Sequence, residues 1–389
     1  MSVSVDVAWK SLNKYQEELC GDKVEVLKTD KADVLILADG MGSGVKANIL
    51  ATLTSKILKT MFRDGASIEL AVETIAKTCR SAKCGKWRMQ RLAFFRLLTM
   101  EKRILSNLTI QAAFLSGIKD CDYPYKERII EGKTIREYRF QVKLNDCFVL
   151  MSDGVIYAGE GELMNLSWTW NEMAEYTLKC TKNTLSASRL TVLLSDLCNE
   201  LYAHRPGDDT TIAVMRVINR KIVNIFTGPP KSKDDDERMV REFMSEEGTK
   251  VVSGGTSANI MARVLQKNIV TSVNYQDSSV PPTAAIEGLD LVTEGVLTLG
   301  KALKLLKKYE RDDFDVEFFD ELDADNGASR LARLLIEECT DIHLFVGTAT
   351  NEAHQNSNLP FDLSIRMNLV EQLQEVARKM GKQVCVKYY

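Results

Sequence analysis

An aspartate at the head of a glycine-rich turn follows an apolar run near the N-terminus. The run Val34–Ala38 has the character of a buried strand, and Asp39 and Gly40 follow it, with further glycines at positions 42 and 44. Glycine tolerates positive φ and lets a ligand approach the main chain closely. A carboxylate at that point suits a hard cation and the phosphate that the cation binds. Taken alone, the segment could equally be an ordinary turn before a helix.

Three more acidic turns share this chemistry. Asp22 follows Gly21 and opens a strand-like run, Asp153-Gly154 follows the apolar run 148–151, and Asp208 lies in the turn 207–211 before another strand. Carboxylates gathered at one place repel one another and take up protons unless cations lie between them. Two divalent ions about 3.5–4 Å apart also activate a water for attack on a phosphoryl group. The sequence therefore predicts a two-cation hydrolytic site, although each turn alone is more often a solvent-facing turn.

The first part of the chain, 1–219, mixes strands with amphipathic helices. Apolar residues at helical spacing after Gly44 predict a helix whose stripe faces the core: Val45, Ile49, Leu53, Ile57 and Met61. Further helices are predicted at 68–79, 171–181 and 186–203, and strands at 138–143, 147–151 and 211–218. The fold class predicted for the whole chain is α/β (α+β).

The order of the four motifs carries a family resemblance. Gly-Asp, Ala-Asp-Gly-Met-Gly-Ser-Gly, Met-Ser-Asp-Gly-Val and Gly-Asp-Asp-Thr-Thr closely resemble those of the type-2C-like, metal-dependent serine/threonine phosphatases, in particular the branch named for the stage II sporulation protein E. The resemblance covers roughly residues 15–218. It implies an α-β-β-α sandwich with two Mn²⁺ or Mg²⁺ ions at one edge of the central sheets.

The resemblance also implies roles for individual residues. The metal ligands would be Asp22, Asp39, the carbonyl of Gly40, Asp153 and Asp208. Asp39 would bridge both ions, Asp22 would serve the first ion directly or through water, and Asp153 and Asp208 would hold the second. Asp39, Asp153 and Asp208 are accordingly the predicted catalytic residues, and Asp209 would support the turn.

No cysteine or serine nucleophile is implied, because a water held by the ions attacks the phosphoester. Met41 stands where eukaryotic relatives place a histidine, so the donor of the leaving-group proton is unassigned.

The resemblance and the composition together define the expected setting. The implied substrate is a phosphoserine or phosphothreonine on a small regulatory protein, such as a STAS-type anti-sigma factor antagonist. The net charge of −3 gives no global case for nucleic acid or an anionic membrane, and no run reaches the roughly 18 apolar residues of a membrane span. We expect a cytoplasmic protein. The alternative is a phosphatase-like regulator with weak or no turnover, whose C-terminal domain binds a small anionic ligand.

Residues 80–116 do not fit the family pattern. From Arg80 to Arg103 there are eight basic residues and one acid, Glu101, where apolar central strands are expected. One hypothesis is a basic element that recognises a phosphoprotein or nucleic acid. The other is that the segment is not the native strand pair, for example through a shifted reading frame, which would leave the sheets badly packed.

The second part, 220–389, alternates strands, small-residue turns and helices, which predicts a mainly parallel sheet with covering helices. It resembles a C-terminal extension of clostridial-type phosphatases of the same branch. The turn Gly254-Gly255-Thr256-Ser257 enters a helix and is a candidate for binding a small anion, the alternative being a tight βα turn. The domain is also a candidate for forming a homodimer. The acidic, Phe-containing stretch 310–325 is predicted to be an edge strand under a core face, the alternative being a surface that binds a partner.

Overall fold

The structure, a computed structural model, describes residues 3–29, 32–40, 42–81, 91–98, 103–109, 113–116, 125–130, 133–159, 169–184, 186–271, 281–349 and 361–389. The chain separates into two units, Met1–Asn219 and Arg220–Tyr389. None of the helices in the described ranges combines the length and the hydropathy that a membrane span requires.

Two antiparallel sheets form the centre of the N-terminal unit. The first contains, in spatial order, β1 (Val3–Leu12), β10 (Thr210–Asn219), β9 (Cys147–Met151) and β6 (Ala113–Ser116). The second contains β2 (Asp22–Lys28), β3 (Ala32–Asp39), β4 (Arg91–Leu98), β5 (Arg103–Thr109), β8 (Lys133–Gln141) and β7 (Tyr125–Ile130). The helices are α1 (Gly44–Arg63), α2 (Ile68–Ser81), α3 (Asp153–Ile156), α4 (Trp170–Asn183) and α5 (Ala187–Leu201).

Three apolar layers join these elements. Leu35 and Leu37 of β3 pack between the two sheets, with Phe148 and Met215 from the first sheet. Because side chains alternate along a strand, Ile36 points the other way and packs with α1 and α2. The first sheet is covered on its outer face by α4 and α5. The order of layers is therefore helix, sheet, sheet, helix, as the family resemblance implies, and β3 is a continuous apolar run because both of its faces are buried.

The prediction for the apolar stripe of α1 is wrong over the first half of the helix. Val45, Ile49 and Leu53 are 57%, 54% and 43% exposed, whereas Ile57 and Met61 pack partly against the core. The buried face is instead formed by a neighbouring row of smaller and apolar residues: Ala47, Leu50, Ala51, Thr54, Ser55, Leu58 and Phe62. Small side chains let the helix lie close to the sheet, so the larger stripe is rotated away from it.

The unusual basic segment contributes strands to both sheets. In β4, Leu92, Phe94, Phe95 and Leu97 are buried. Arg96 lies over the ring of Phe62, with its guanidinium carbon 5.7 Å from the ring centroid, and burial lowers the pKa of this guanidinium. Residues 82–90, 99–102 and 110–112 lie outside the described ranges. Whether the segment is native-like, and whether it recognises a partner, stay hypotheses.

A mainly parallel sheet organises the C-terminal unit. Its spatial order is β13 (Val270–Thr271), β14 (Ala284–Ala285), β15 (Leu291–Thr293), β12 (Thr249–Ser253), β11 (Ile222–Thr227), β16 (Asp341–Val346) and β17 (Gln383–Tyr388). The five strands from β15 to β17 are parallel to one another, whereas β14 is antiparallel to β15. Chain order reverses between β11 and β16, as in doubly wound folds.

Six helices accompany this sheet in the described residues: α6 (Asp236–Ser245), α7 (Gly255–Leu265), α8 (Val296–Glu310), α9 (Val316–Asp323), α10 (Gly327–Glu337) and α11 (Phe361–Lys379). The edge strand predicted within 310–325 is wrong, because α9 occupies this stretch. The Asp315 side chain caps α9 by accepting a hydrogen bond from the Phe318 amide (2.8 Å). Phe314, Phe318 and Phe319 are buried, and their rings pack against one another around the start of α9.

Candidate metal centre

The first two predicted ligands lie opposite each other on neighbouring strands. Asp22 begins β2 and Asp39 ends β3, and they are partners in the antiparallel register. Paired residues of antiparallel strands project to the same face of the sheet. By alternation that face is the one carrying Val24 and Leu37, which pack between the two sheets. Asp22 and Asp39 are only 5% and 6% exposed, so two carboxylates are buried side by side at one end of the sandwich.

Glycines allow the backbone to close tightly around this pair. The Gly40 amide donates to the Gly21 carbonyl (3.2 Å). A Cβ at Gly40 would lie 2.5 Å from the Ala47 carbonyl oxygen in α1 and 2.7 Å from the Gly21 carbonyl oxygen. Asn48 also donates from its side chain to the Cys20 carbonyl (2.8 Å). Gly40 therefore lies between the loop before β2 and the first turns of α1, and there is no room for a side chain at this position.

The third acidic turn follows β9 and is hydrogen-bonded to the start of the neighbouring strand β10. Ser152, between β9 and α3, accepts a hydrogen bond from the Thr211 amide through its hydroxyl (2.8 Å). Asp153 is the first residue of α3. The hydroxyl of Tyr202 donates to the Gly154 carbonyl (2.7 Å). The backbone around Asp153 is thus held from β10 on one side and from the end of α5 on the other.

The two adjacent aspartates before β10 have different surroundings. Asp209 is 4% exposed, and its two carboxylate oxygens accept hydrogen bonds from the amides of Lys14 (3.0 Å) and Gly21 (2.8 Å). Asp208 is less buried and accepts from the Asp209 amide (2.9 Å). Asp209 thus links the loop before Asp22 to the start of β10, which is the kind of supporting role that the family resemblance implies.

Burial and neighbouring charges shift the pKa values of two of these acids. Burial raises the pKa of Asp22 to about 7, hydrogen bonds from Ser152 and Thr211 oppose that rise, and the charges of Asp209 and Asp153 add to it. Burial also raises the pKa of Asp208, again with a contribution from Asp153. Asp153 therefore lies within electrostatic reach of both Asp22 and Asp208.

The acidic residues at this end of the sandwich have the right chemistry for a divalent cation, but their positions are a separate question. The Asp22 Oδ2 atom is buried and accepts no hydrogen bond from the described residues, and an all-oxygen donor set suits Mg²⁺ or Mn²⁺. In the part of the chain that the structure describes, however, no three His, Cys, Asp or Glu side chains form a group able to hold one metal ion. The residue types therefore fit a divalent cation, but no three of these side chains are grouped closely enough to hold one ion in the described part of the chain.

Several residues of this centre carried no signal in the sequence. Lys14, Asn48 and Thr211 position its loops, but each is a common polar residue in a segment without a motif. Ser152 was visible as part of Met-Ser-Asp-Gly-Val, although its contact across to β10 depends on the register of two strands far apart in sequence.

The predicted anion-binding turn of the C-terminal unit lies at the end of β12. Gly254 precedes α7, and Gly255, Thr256 and Ser257 form the first turn of that helix. Gly255 and Thr256 are exposed. Ser257 is buried, and its hydroxyl accepts a hydrogen bond from the Gly228 amide (2.9 Å). The exposed part of this first turn, Gly255 and Thr256, is where a ligand could bind.

Comparison with known proteins gives similarity only at the level of solved structures. No protein-family model matches the chain, and no curated protein sequence matches it. A structure of the phosphatase domain of the cell fate determinant SpoIIE from Bacillus subtilis is 16% identical, with 56% of this chain and 94% of that one covered and a TM-score of 0.41.

Two further structures are similar to the same degree. The RsbU and RsbW domains of Rv1364c from Mycobacterium tuberculosis are 15% identical, with 74% and 81% covered and a TM-score of 0.47. The catalytic domain of the serine/threonine protein phosphatase PstP, in complex with 2 manganese ions, is 11% identical, with 56% and 100% covered and a TM-score of 0.38. At such identities and TM-scores these similarities do not establish what this chain does.

Proposed function

We propose that the N-terminal unit is a metal-dependent phosphatase acting on phosphoserine or phosphothreonine in a protein. The observation that carries the proposal is the pair Asp22 and Asp39, buried opposite each other at the end of the sandwich, with Asp153 within electrostatic reach of both Asp22 and Asp208. The ordered acidic motifs, which resemble those of the type-2C-like phosphatases, support it.

The chain's own residues would perform distinct tasks. Asp22, Asp39, Asp153 and Asp208, with the Gly40 carbonyl, would hold two Mn²⁺ or Mg²⁺ ions. When bound, such ions polarise phosphoryl oxygens and lower the pKa of water. Asp209 keeps the loop before Asp22 in place through its two amide contacts. Gly21 and Gly40 keep the backbone close, since a Cβ at either would collide with its neighbours.

The substrate class follows from the family resemblance. We propose a small regulatory phosphoprotein, such as a STAS-type anti-sigma factor antagonist, as the target. Phosphoserine and phosphothreonine peptides should then be hydrolysed in preference to phosphotyrosine peptides.

A second candidate has its own observation. A phosphatase-like regulator without turnover is favoured by the absence, among the residues that the structure describes, of any three acidic, His or Cys side chains able to hold one ion. In that case the acidic end would contribute to recognition only.

Hydrolysis of p-nitrophenyl phosphate by the full chain decides between the two. The phosphatase should show Mn²⁺-dependent release of p-nitrophenol, and Asp39→Asn should lower it by about 10²-fold or more because a carboxylate that would hold the ions is lost. Asp64→Asn, an exposed aspartate at the end of α1, is the matched control and should retain activity. If the folded wild-type chain shows no turnover that depends on Mn²⁺ or Mg²⁺, the non-catalytic regulator is the better description.

A further inference from the structure

Two glycine turns of the C-terminal unit lie against each other at the carboxyl edge of the parallel sheet. β12 and β15 are neighbours, with Ser253 opposite Thr293. The Gly254 amide donates to the Thr293 carbonyl (2.9 Å). A Cβ on Gly295 would lie 3.4 Å from the Gly254 Cα. The turns that lead into α7 and α8 are therefore in direct backbone contact, with no side chain between them.

Both helices begin there without a side-chain cap. Gly254 precedes α7 and Gly295 precedes α8, and neither can supply a side-chain acceptor. In the same unit, α9 and α10 are capped by Asp315 and Asn326. The first amides of a helix lack partners within the helix, and its N-terminus carries partial positive charge. Two adjacent helix termini therefore offer N–H donors at one edge of the sheet.

Three buried oxygen atoms around the start of α8 supply a second, independent observation. Thr293 Oγ1, Glu294 Oε2 and Thr298 Oγ1 have no hydrogen-bond partner among the described residues. Thr293 and Thr298 are 3% and 0% exposed. Thr293 leads into the N-terminus of α8 and Thr298 belongs to its first turn, so both hydroxyls lie at that terminus. Leaving one buried polar group unpaired costs about 1–3 kcal/mol, so a molecule that supplied hydrogen-bond partners here would be bound favourably.

Another possible ligand position at this sheet edge is occupied by the Arg366 side chain. In doubly wound folds a ligand commonly lies where the strand order reverses, here between β11 and β16. A Cβ on Gly228 would lie 2.6 Å from the guanidinium carbon of Arg366, whose Nη2 donates to the carbonyls of Gly347 (3.1 Å) and Ala349 (3.0 Å). At Gly255, by contrast, a Cβ would meet nothing within 4 Å. The β12–β15 side of the edge is thus the side with open space.

We propose that this edge binds a phosphorylated polyol, the chemical class to which sugar phosphates and nucleotides belong. The phosphate would lie at the N-terminus of α7, beside Gly255, where backbone amides donate to it. The hydroxyl groups of the ligand would donate to the Glu294 carboxylate and exchange hydrogen bonds with Thr293 and Thr298. A simple anion does not match this edge, because Glu294 repels a second negative charge and needs donors. The proposal does not depend on the phosphatase activity, since its readout is binding.

Titration calorimetry on the full chain, with D-ribose 5-phosphate as the probe, tests the proposal. We expect saturable binding that is much tighter than binding of inorganic phosphate or D-ribose alone, because each of these satisfies only half of the edge. Gly255→Asp places a carboxylate at the phosphate position in open space, where an acid also suits the first turn of a helix. This variant should abolish binding while remaining folded.

Two further variants test the residues proposed to bind the hydroxyl groups, separately from the α7 terminus proposed to bind the phosphate. Glu294→Gln should weaken binding of ribose 5-phosphate by about tenfold or more, since a charged acceptor is lost, without weakening inorganic phosphate. Thr298→Val should weaken it by a smaller factor. Thr177→Val is the matched control for Thr298→Val, because Thr177 is an equally buried threonine in the N-terminal unit whose hydroxyl also accepts and donates no hydrogen bond among the described residues.

The outcomes are decisive in both directions. No saturable heat up to about 10 mM ribose 5-phosphate, or binding that Gly255→Asp and Glu294→Gln leave unchanged, would overturn the proposal and leave the buried oxygens to ordered water. Binding that Gly255→Asp abolishes, that Glu294→Gln weakens and that Thr177→Val does not affect supports it.

Discussion

The acidic end of the N-terminal unit and the glycine edge of the C-terminal unit both lie where strands end, yet they present opposite charge. Antiparallel neighbours place Asp22 and Asp39 opposite each other, so side-chain carboxylates accumulate. Parallel neighbours followed by helices place Gly254 and Gly295 together, so helix N-termini accumulate. Strand direction therefore decides whether the charge at such an edge comes from side chains or from the backbone at helix N-termini.

The largest effect expected from this contrast concerns the pH dependence of stability in the N-terminal unit. Burial raises the pKa of Asp22 to about 7 from an ordinary value of 3.8. The folded state therefore holds a proton that the unfolded state has released, and the stability that this proton contributes is lost as the pH rises from about 4 through 7. With EDTA present, this group should lower the free energy of unfolding by about 3 kcal/mol between pH 5 and pH 8.

Urea unfolding at several pH values checks this expectation. In Asp22→Asn, the free energy of unfolding should lose the decrease between pH 5 and pH 8 that Asp22 causes. This variant should also be more stable than the wild type at pH 8. Asp64→Asn, at an exposed position, should keep the wild-type slope. Identical slopes in the wild type and Asp22→Asn would show that the Asp22 carboxylate is not desolvated in the way the structure indicates.

The next effect compares a crowded glycine with an open one. Gly40→Ala should destabilise the N-terminal unit by about 2 kcal/mol, because its Cβ would collide with the carbonyl oxygens of Ala47 and Gly21. Gly255→Ala should be neutral or should stabilise the C-terminal unit by up to about 1 kcal/mol, because alanine favours a helix and the space is open. Thermal unfolding of both variants gives the sign. Equal costs at the two positions would contradict the contrast.

The smallest effect concerns buried and exposed carboxylates that accept from backbone amides. Asp209→Asn should cost about 1–2 kcal/mol, since Asp209 is buried and both of its oxygens accept hydrogen bonds. Asp290→Asn in the C-terminal unit should cost less, because Asp290 is exposed and one oxygen accepts from the Lys250 amide (2.7 Å). Chemical unfolding of the two variants measures the difference. A larger loss for Asp290→Asn would show that burial does not control these contacts.

The positions of many helices and strands could be predicted because apolar periodicity is a local property, whereas the layer order was implied only by the family resemblance. The runs at 34–38 and 147–151 and the strand–turn–helix alternation after 220 all correspond to elements of the structure. The face that a helix buries is a different matter. The α1 stripe of Val45, Ile49 and Leu53 is regular, but a row with smaller residues faces the sheet. Spacing shows that a helix forms, and the closeness of its partner selects which row is buried.

The error within 310–325 has a related cause. Acidic residues around Phe318 and Phe319 resemble an alternating edge strand, whereas the cap at Asp315 starts a helix around which the aromatic rings pack against one another. A capping contact involves residues three apart, so a reading based on alternation alone misses it.

By itself the sequence determined the kinds of chemistry at hand: acids beside glycines in the first 219 residues, and glycine turns before helices in the rest. The tertiary structure decided which of these groups become neighbours. The register of β2 and β3 places Asp22 opposite Asp39, and Asp209 accepts hydrogen bonds from two amides. Gly254 lies against Gly295 although 41 positions separate them. Spacing along a chain determines local conformation, whereas contacts between distant residues, and the burial that shifts the pKa of Asp22, arise only when the sheets pack.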